Sequence, residues 1–135
     1  MTADVPIDDF IAVAEFRAAL RRFLRTSERI AHRSGLTPQR YLLLLMIKGS
    51  PDGTERSTVT ALADRLQLAQ STVTELVSRA EETGLVTREA SRDDARVAHL
   101  RLTPEGERRL QLSFSGLATE RGRLRDSVAH LNDVG

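Results

Sequence analysis

Short hydroxyl side chains and one arginine share a face of a segment that begins at Gln70. At helical spacing, the positions that point away from its apolar residues are Ser71, Thr72, Thr74, Glu75, Ser78 and Arg79. Hydroxyl groups and free backbone N–H groups at a helix N-terminus contact phosphates and the edges of bases. The alternative is an ordinary solvated face, because residues 70–83 carry three glutamates and a single arginine.

A second group of candidate residues lies in the charged segment 91–95. The residues on either side predict two strands, 85–90 and 96–102. Arg92 and Arg96 then lie at the tip or root of a hairpin, where an arginine can enter a narrow minor groove of DNA and Asp94 can brace Arg96. A plain solubilising hairpin is the alternative interpretation.

The elements before this hairpin must position both groups. Helices are predicted over 59–66, with Thr58 as its cap, and over 70–83. Three residues separate them, a spacing typical of a helix-turn-helix. The turn residue Gln67 occupies a position where the backbone is expected to be left-handed and where glycine is favoured. A charged strand-turn-strand directly after such a motif is the wing of a winged helix.

The N-terminal residues predict an arm and a long helix. Residues 1–7 are expected to form a flexible polar arm, and Asp8 is expected to cap a helix that ends before Gly35. Along this helix, apolar residues recur at alternating spacings of three and four, which is a heptad stripe. The stripe consists of Val13, Phe16, Leu20, Phe23 and Ile30, with Ser27 in the remaining position.

Two Thr-Pro pairs mark further helix starts, because proline is favoured at the first helical position after a threonine cap. Thr37–Pro38 opens a helix over 39–48 that is apolar on nearly all sides and therefore buried. Thr103–Pro104 opens one long helix that is expected to bend at its internal glycines, Gly116 and Gly122. Its stripe consists of Leu110, Phe114, Leu117, Leu124, Val128 and Leu131. Striped helices at both ends of the chain predict a homodimer.

The composition removes several classes of function. The chain has 135 residues, which favours one domain, and its 20 basic and 19 acidic side chains give a net charge of +1 that favours no partner. Without cysteine there is no thiol nucleophile or thiolate metal site, and three scattered histidines disfavour a metal centre. No apolar run reaches the roughly 18 residues of a membrane span, and no signal peptide is apparent. We therefore expect a cytoplasmic protein without a cofactor, metal or membrane partner.

The ordered set of segments resembles the multiple-antibiotic-resistance regulator (MarR) family of bacterial winged-helix repressors. The segments that carry the resemblance are 58–66, 71–79, Gly84-Leu-Val86, Asp94-Ala-Arg96 and Leu102-Thr-Pro-Glu-Gly106. Ala69 and Glu75 depart from the family pattern, in which a capping serine and a basic residue are frequent at these positions. The C-terminal part is short for the family, which implies that a final separate helix is missing.

The resemblance implies a mainly α-helical (α+β) fold with a small β-hairpin wing. A winged helix-turn-helix over 36–103 would lie between dimerisation helices at 8–35 and 104–135. It also implies an obligate homodimer on double-stranded DNA at a pseudo-palindromic operator. The helix 70–83, with Gln70 as its first contact residue, would read successive major grooves. The wing pair Asp94 and Arg96 would reach the flanking minor grooves.

Members of the family often bind a small aromatic or phenolic ligand between the dimer helices and the winged domain. By position, the candidate pocket residues here are Phe23, Tyr41, Leu45 and Met46, although plain core is the interpretation that their residue types favour. Peroxide sensing through cysteine is excluded, and zinc sensing is disfavoured because the three histidines share no ligand spacing.

The leading interpretation is a dimeric DNA-binding transcriptional regulator, a repressor that a small-molecule ligand releases. The alternative is a winged-helix protein-interaction module without DNA binding, which the balanced charge and the glutamates of segment 70–83 favour. An enzyme has almost no support, because the sequence contains no phosphate-binding glycine loop, nucleophile elbow or metal-binding pair.

Overall fold

The computed structural model describes residues 4–94 and 96–135. In chain order its elements are α1 (Ile7–Arg33), α2 (Pro38–Lys48), β1 (Arg56–Ser57), α3 (Val59–Leu66), α4 (Gln70–Glu82), β2 (Val86–Ala90), β3 (Ala98–Leu102), α5 (Pro104–Gly116) and α6 (Ala118–Leu131). The predicted fold class, mainly helical with a small hairpin sheet, is confirmed.

Threonine caps fix the starts of three helices as the sequence predicts. The side chains of Thr37, Thr58 and Thr103 accept hydrogen bonds from backbone N–H groups in the first turns of α2, α3 and α5. The predicted cap of α1, Asp8, is wrong. This helix begins at Ile7, and its N-cap residue is Pro6, which forms no side-chain hydrogen bond. Asp8 therefore lies in the first turn, where its charge favours the helix dipole. Ile7 of the predicted arm is helical, and residues 1–3 lie outside the described ranges.

The small sheet has the strand order β1-β3-β2, and both pairings are antiparallel. Strands β2 and β3 pair from Val86 opposite Leu102 to Ala90 opposite Ala98. The sequence does not predict β1, because its two residues are too few for an alternating pattern to be visible. Leu100 faces the core with no exposed surface, whereas Arg101 is exposed on the opposite face of the sheet.

The core brings α2 into contact with the helix-turn-helix and the sheet. Its fully buried side chains include Leu43, Leu44 and Ile47 of α2, Leu62 of α3, Val73 and Val77 of α4, Leu85 and Leu100. These eight residues come from elements that lie far apart in the sequence. Burying them together fixes α4 and the hairpin in one rigid arrangement.

A close backbone contact joins the hairpin to α5. Thr103 donates its backbone N–H to the Leu85 carbonyl at 3.0 Å and its hydroxyl proton to the Gly84 carbonyl at 2.6 Å. A Cβ atom on Gly106 would lie 2.2 Å from the Leu85 oxygen, a distance that no side chain tolerates. Gly106 is therefore required for α5 to start where it does.

The C-terminal part forms two helices, so the prediction of one long helix is wrong. The helical segment breaks at Leu117, which is 1 % exposed, after Gly116 at the end of α5. Beyond the break, Arg121 donates to the Phe114 carbonyl at 2.6 Å, and its guanidinium lies 3.9 Å from the centre of the Phe114 ring. A separate final helix, α6, is thus present, although the short C-terminal part implied that it is missing.

Helix α1 packs along α6 of the same chain and also contacts α2 and α5. Most of the heptad stripe of α1 is half-buried, but Val13 is exposed. Further apolar side chains near the start of α1 are also exposed, namely Val5, Ile7, Phe10 and Ile11. The N-terminal half of α1 therefore presents an apolar surface that its own chain does not cover.

Arginine side chains connect the end of α1 to the start of α5. Arg109 donates to the Gly35 carbonyl at 2.9 Å and to Glu105 at 2.8 Å, and Arg108 donates to Glu105 at 2.6 Å. The hydrogen bonds from Arg108, which have the larger effect, and from Arg109 lower the pKa of Glu105 from its ordinary value of 4.5 to about 2.

We expect an NMR titration of the Glu105 side-chain carboxyl carbon to show its midpoint at about pH 2. Because the pKa is lower in the folded state, this carboxylate stabilises the fold above pH 4.5, and that contribution is lost as the pH falls towards 2. In Arg108→Gln the midpoint should rise towards the ordinary value. A midpoint near 4.5 in the wild-type protein would mean that the two arginines do not hold this carboxylate.

Candidate nucleic-acid interface

The turn between α3 and α4 is tight and has a left-handed residue where the sequence predicts one. Gln67 has φ 56° and ψ 46°, and its side-chain amide donates to the Asp64 carbonyl at 2.6 Å. Leu68 closes the turn by donating its N–H to the Ala63 carbonyl at 3.1 Å. The glutamine side chain thus caps α3 in a conformation that glycine adopts more easily.

Helix α4 buries one side and exposes the predicted polar face. Its buried residues are Val73, Val77 and Ala80, each fully inaccessible, and Leu76 is half-buried. Six of the seven predicted contact residues are exposed, namely Gln70, Ser71, Thr72, Thr74, Glu75 and Arg79, whereas Ser78 is half-buried. The N-cap residue Ala69 makes no side-chain hydrogen bond, so the N–H groups of the first turn are free for solvent or an anion.

Hydrogen bonds within α4 already occupy part of this face. The Thr74 hydroxyl donates to the Gln70 carbonyl at 2.9 Å and is left as an acceptor only. Arg79 Nη2 donates to Glu75 Oε1 at 2.7 Å, and the two side chains are 60 % and 65 % exposed. The arginine of this face is therefore held beside a carboxylate.

The hairpin tip holds Arg96 by the contact that the sequence predicts. Asp94 Oδ1 accepts from the Arg96 backbone N–H at 3.0 Å and from Arg96 Nε at 3.3 Å, and the arginine side chain is 91 % exposed. Ser91 Oγ accepts from the N–H groups of Asp93 and Asp94, which orders the turn. Arg92 is exposed at the same tip. A largely exposed guanidinium on a braced turn can enter a groove too narrow for a helix.

Three strand arginines belong to this region and were not singled out from the sequence. Arg88 donates to Glu81 of α4 at 2.7 Å and so joins the hairpin to the helix. Arg56 and Arg101 lie opposite each other in the sheet, and both approach Glu89, at 3.9 and 3.8 Å. Strand alternation places Arg101 on the outer face, but only the pairing with β1 brings Arg56 beside it.

The four predicted pocket residues lie in the core or against it. Tyr41 is buried, whereas Phe23, Leu45 and Met46 are half-buried and pack against the core. Burial raises the pKa of the Tyr41 hydroxyl, and the charge of Arg121 acts in the opposite direction.

A different apolar cleft lies between α2 and α5. Its volume is about 370 Å³, and it is lined by Leu45, Lys48, Gly49, Glu107, Leu110, Gln111, Phe114 and Ser115. Lys48 donates to Glu107 at 2.9 Å and also pairs with Glu55, and these two carboxylates raise the pKa of Lys48. The cleft therefore has an apolar floor and a charged rim, and of the four predicted residues it includes Leu45.

Residues 4–94 and 96–135 contain no group of three or more His, Cys, Asp or Glu side chains placed to hold a metal ion. In the same part of the chain, no helix is both long enough and apolar enough to cross a membrane.

A helix-turn-helix followed by a hairpin and packed on a third helix defines a winged helix-turn-helix protein. Residues 34–97 match the family model described as the MarR family. This segment is just under half of the chain, and its similarity to the MarR family is the one that the sequence predicts.

A curated relative and solved structures are also similar to this chain. A protein assigned to transcriptional regulation of the hcr operon in Thauera aromatica is 37 % identical over 89 residues, which cover 66 % of this chain and 49 % of the relative. The chain thus spans about half the length of this relative. Apo MarR from E. coli superposes with a TM-score of 0.70 at 18 % identity, over 97 % of this chain and 94 % of that one. A MarR mutant complexed with operator DNA gives 0.70 at 18 % identity, over 86 % and 84 %.

Proposed function

We propose that this protein is a transcriptional regulator that binds double-stranded DNA through α4 and the hairpin tip. The observation that carries the proposal is the pairing of two exposed features on one rigid unit. Hydroxyl side chains cover the start of α4, and Arg96 extends from a braced turn linked to α4 through Arg88 and Glu81. The similarity to a MarR structure solved with operator DNA supports the same use of these elements.

In this proposal the site residues have two roles. The exposed face of α4 enters the major groove, with Gln70, Ser71, Thr72, Thr74, Glu75, Ser78 and Arg79 next to bases and phosphates. Arg92 and Arg96 approach the adjacent minor groove, and Asp94 orients Arg96. Residues 36–103 form the DNA-reading unit.

A mobility-shift experiment tests DNA binding. The purified chain is mixed at low salt with duplexes from the promoter region of its own gene and of the adjacent gene, and with a coding-sequence duplex as control. We expect a discrete shift on a promoter duplex at concentrations that leave the control unshifted. Absence of any shift at low salt would contradict the proposal.

We propose further that the protein is a homodimer joined by residues 8–35 and 104–135. The uncovered apolar surface at the start of α1, with Ile7, Phe10 and Ile11 about half or more exposed, supports an interface there. Val128 of α6, the helix that packs along α1, is also exposed. Two reading helices related by two-fold symmetry would fit a pseudo-palindromic operator with half-sites about 10 bp apart.

Phe10→Asp is expected to convert the dimer into a monomer, because a carboxylate would replace an apolar ring that is 60 % exposed in the single chain. Light scattering after gel filtration measures the mass directly. Operator affinity should fall at least about 100-fold, because the second half-site is then no longer bound intramolecularly.

The matched control is Leu42→Asp, the same change at an exposed leucine of α2. It should leave the dimer intact. A Phe10→Asp protein that keeps the mass of the wild-type protein would contradict the proposed interface.

We propose that the protein represses transcription by occupying its operator in the cytoplasm and that a small aromatic or phenolic ligand releases it. The apolar cleft of about 370 Å³ between α2 and α5 supports a ligand of this size. A ligand needs only different affinities for the DNA-binding and free forms to shift their populations. Phe23, Tyr41 and Met46 remain proposed pocket residues beside Leu45, which lines the cleft.

A winged-helix protein-interaction module is the second candidate function. The glutamates of α4 favour it, because Glu75 neutralises Arg79 and Glu81 neutralises Arg88 on the elements that would face DNA. Such a module would not shift any duplex at low salt, so the same experiment separates the two functions.

A further inference from the structure

Glu75 and Arg79 form an ion pair on the outer face of α4, which places hydrogen-bond donors beside an acceptor. Arg79 Nη2 donates to Glu75 Oε1 at 2.7 Å across one helical turn, and both side chains are more than half exposed. A guanidinium has five N–H donors, so four remain for other partners. An exposed pair at this spacing contributes little to helix stability, which allows it to take new partners readily.

The edge of a G·C base pair in the major groove has the complementary order. Guanine presents two acceptors, N7 and O6, and cytosine then presents the N4 amino donor. An A·T pair presents an acceptor, a donor and an acceptor, followed by a methyl group. Two donors from Arg79 and an acceptor from Glu75 match the first pattern at all three positions and clash with the second.

We propose that Glu75 and Arg79 together read one G·C base pair in each half-site of the operator. Arg79 donates to guanine N7 and O6, and Glu75 accepts from the amino group of the paired cytosine or of a neighbouring one. This inference rests on the proposed DNA-binding function and adds the base that one part of α4 selects. It also gives the carboxylate a partner on a surface where phosphate charge otherwise repels it.

The side chains next to Glu75 and Arg79 are not placed to contact the same base pair. The Thr74 hydroxyl has already donated its proton to the Gln70 carbonyl, so Thr74 offers no donor to a base. Ser78 is half-buried. Glu75 and Arg79 are thus the long side chains in the middle of the exposed face, and Ser71 and Thr72 at the helix start are short enough to suit phosphates.

Selection of bound duplexes from a random DNA library, followed by sequencing, tests the inference. The wild-type protein should select an operator with one G·C pair per half-site, favoured about ten- to a hundredfold over A·T. Glu75→Gln should lose this preference or shift it towards A·T, because an amide can pair with adenine N6 and N7. Arg79→Lys keeps the positive charge but not the fork of two donors, so it should lose the preference too.

The matched control is Glu82→Gln, which removes the same charge seven residues further along α4. Residue 82 is also exposed, at the last position of α4, and Arg79, three residues before it, is paired with Glu75 instead. This variant should select the wild-type operator. All three variants should keep the wild-type melting temperature, because the substituted side chains are on the surface.

The outcomes separate this inference from the proposed function. An enriched operator whose base preferences are identical in the wild-type, Glu75→Gln and Arg79→Lys proteins would overturn the inference and leave DNA binding standing. A Glu82→Gln protein that changes the same base position would also overturn it, because net charge would then be the cause. No enrichment by the wild-type protein would overturn both.

Discussion

Replacing Gly106 with alanine is expected to lower the free energy of unfolding by about 3 kcal/mol. The added Cβ atom would lie 2.2 Å from the Leu85 carbonyl oxygen, which is backbone and cannot turn away as a side chain does. Either α5 or the segment that leads into β2 must shift, and Thr103 bonds these two to each other. Thermal unfolding followed by circular dichroism should show a melting temperature lower by roughly 10 °C.

Gly122→Ala is the matched control for this effect. Gly122 lies inside α6 with no atom within 4 Å of the position that a Cβ would occupy. Alanine there should stabilise the protein by up to about 1 kcal/mol, because glycine is a poor helix former. If Gly106→Ala melted at or above the wild-type temperature, the close contact between α5 and Leu85 would be wrong.

Replacing Arg96 with alanine is expected to weaken operator binding about 100-fold without changing the fold. Arg96 is the most exposed side chain of the ion pairs described above, and its hydrogen-bond partner among residues 4–94 and 96–135 is Asp94, in the same turn. A dimer loses two such arginines, and about 1.5 kcal/mol for each contact to a charged group gives about 3 kcal/mol in total. Fluorescence anisotropy of a labelled operator duplex measures the change in dissociation constant.

Two comparison variants define the role of Arg96. Asp94→Ala should cost only a fewfold in affinity, because the arginine remains and loses only its brace. Arg125→Ala removes the same charge from an exposed position on α6, outside the DNA-reading unit. Once light scattering shows that this variant is a dimer, it should bind as the wild-type protein does. Equal binding by Arg96→Ala and the wild-type protein would contradict the minor-groove role.

Local signals in the sequence predicted most of the elements. Thr37, Thr58 and Thr103 cap their helices through side-chain bonds to residues three positions on, so the signal and the contact lie within one turn. The left-handed turn at Gln67 is likewise set by a three-residue connection. The contact of Asp94 with Arg96 spans two residues, which is why the sequence predicts it as well.

Contacts between distant segments caused the error in the C-terminal helices and the omissions. The break at Leu117 is associated with the packing of Gly116 against Ile30 of α1, where an added Cβ would lie 3.1 Å from the Ile30 side chain. Strand β1 exists because Arg56 and Ser57 pair with β3, more than forty residues away. The contact between Gly106 and Leu85 is also non-local, so the sequence does not predict it. Gly106 is noted there only as the last residue of the segment Leu102-Thr-Pro-Glu-Gly106.

In the candidate site, too, local spacing predicts some contacts, and packing between distant elements determines the others. Helical spacing identifies the outer face of α4, and the pair of Glu75 with Arg79 has the spacing of four residues that joins neighbouring turns. The hydrogen bond from Arg88 to Glu81 depends on how the hairpin packs on α4, so the spacing of these residues in the sequence does not predict it. The apolar cleft requires α2 and α5 to meet, so of its lining residues only Leu45 was among the predicted ones.

The dependence of operator affinity on salt tests the central claim most directly. If α4 and the hairpin bind DNA phosphates, log affinity should fall linearly with log salt, with a slope of about −0.9 for each phosphate neutralised. The Arg96→Ala dimer should bind more weakly and with a slope shallower by up to about 2. Failure to bind any duplex at low salt, or an affinity that does not change with salt, would contradict the account.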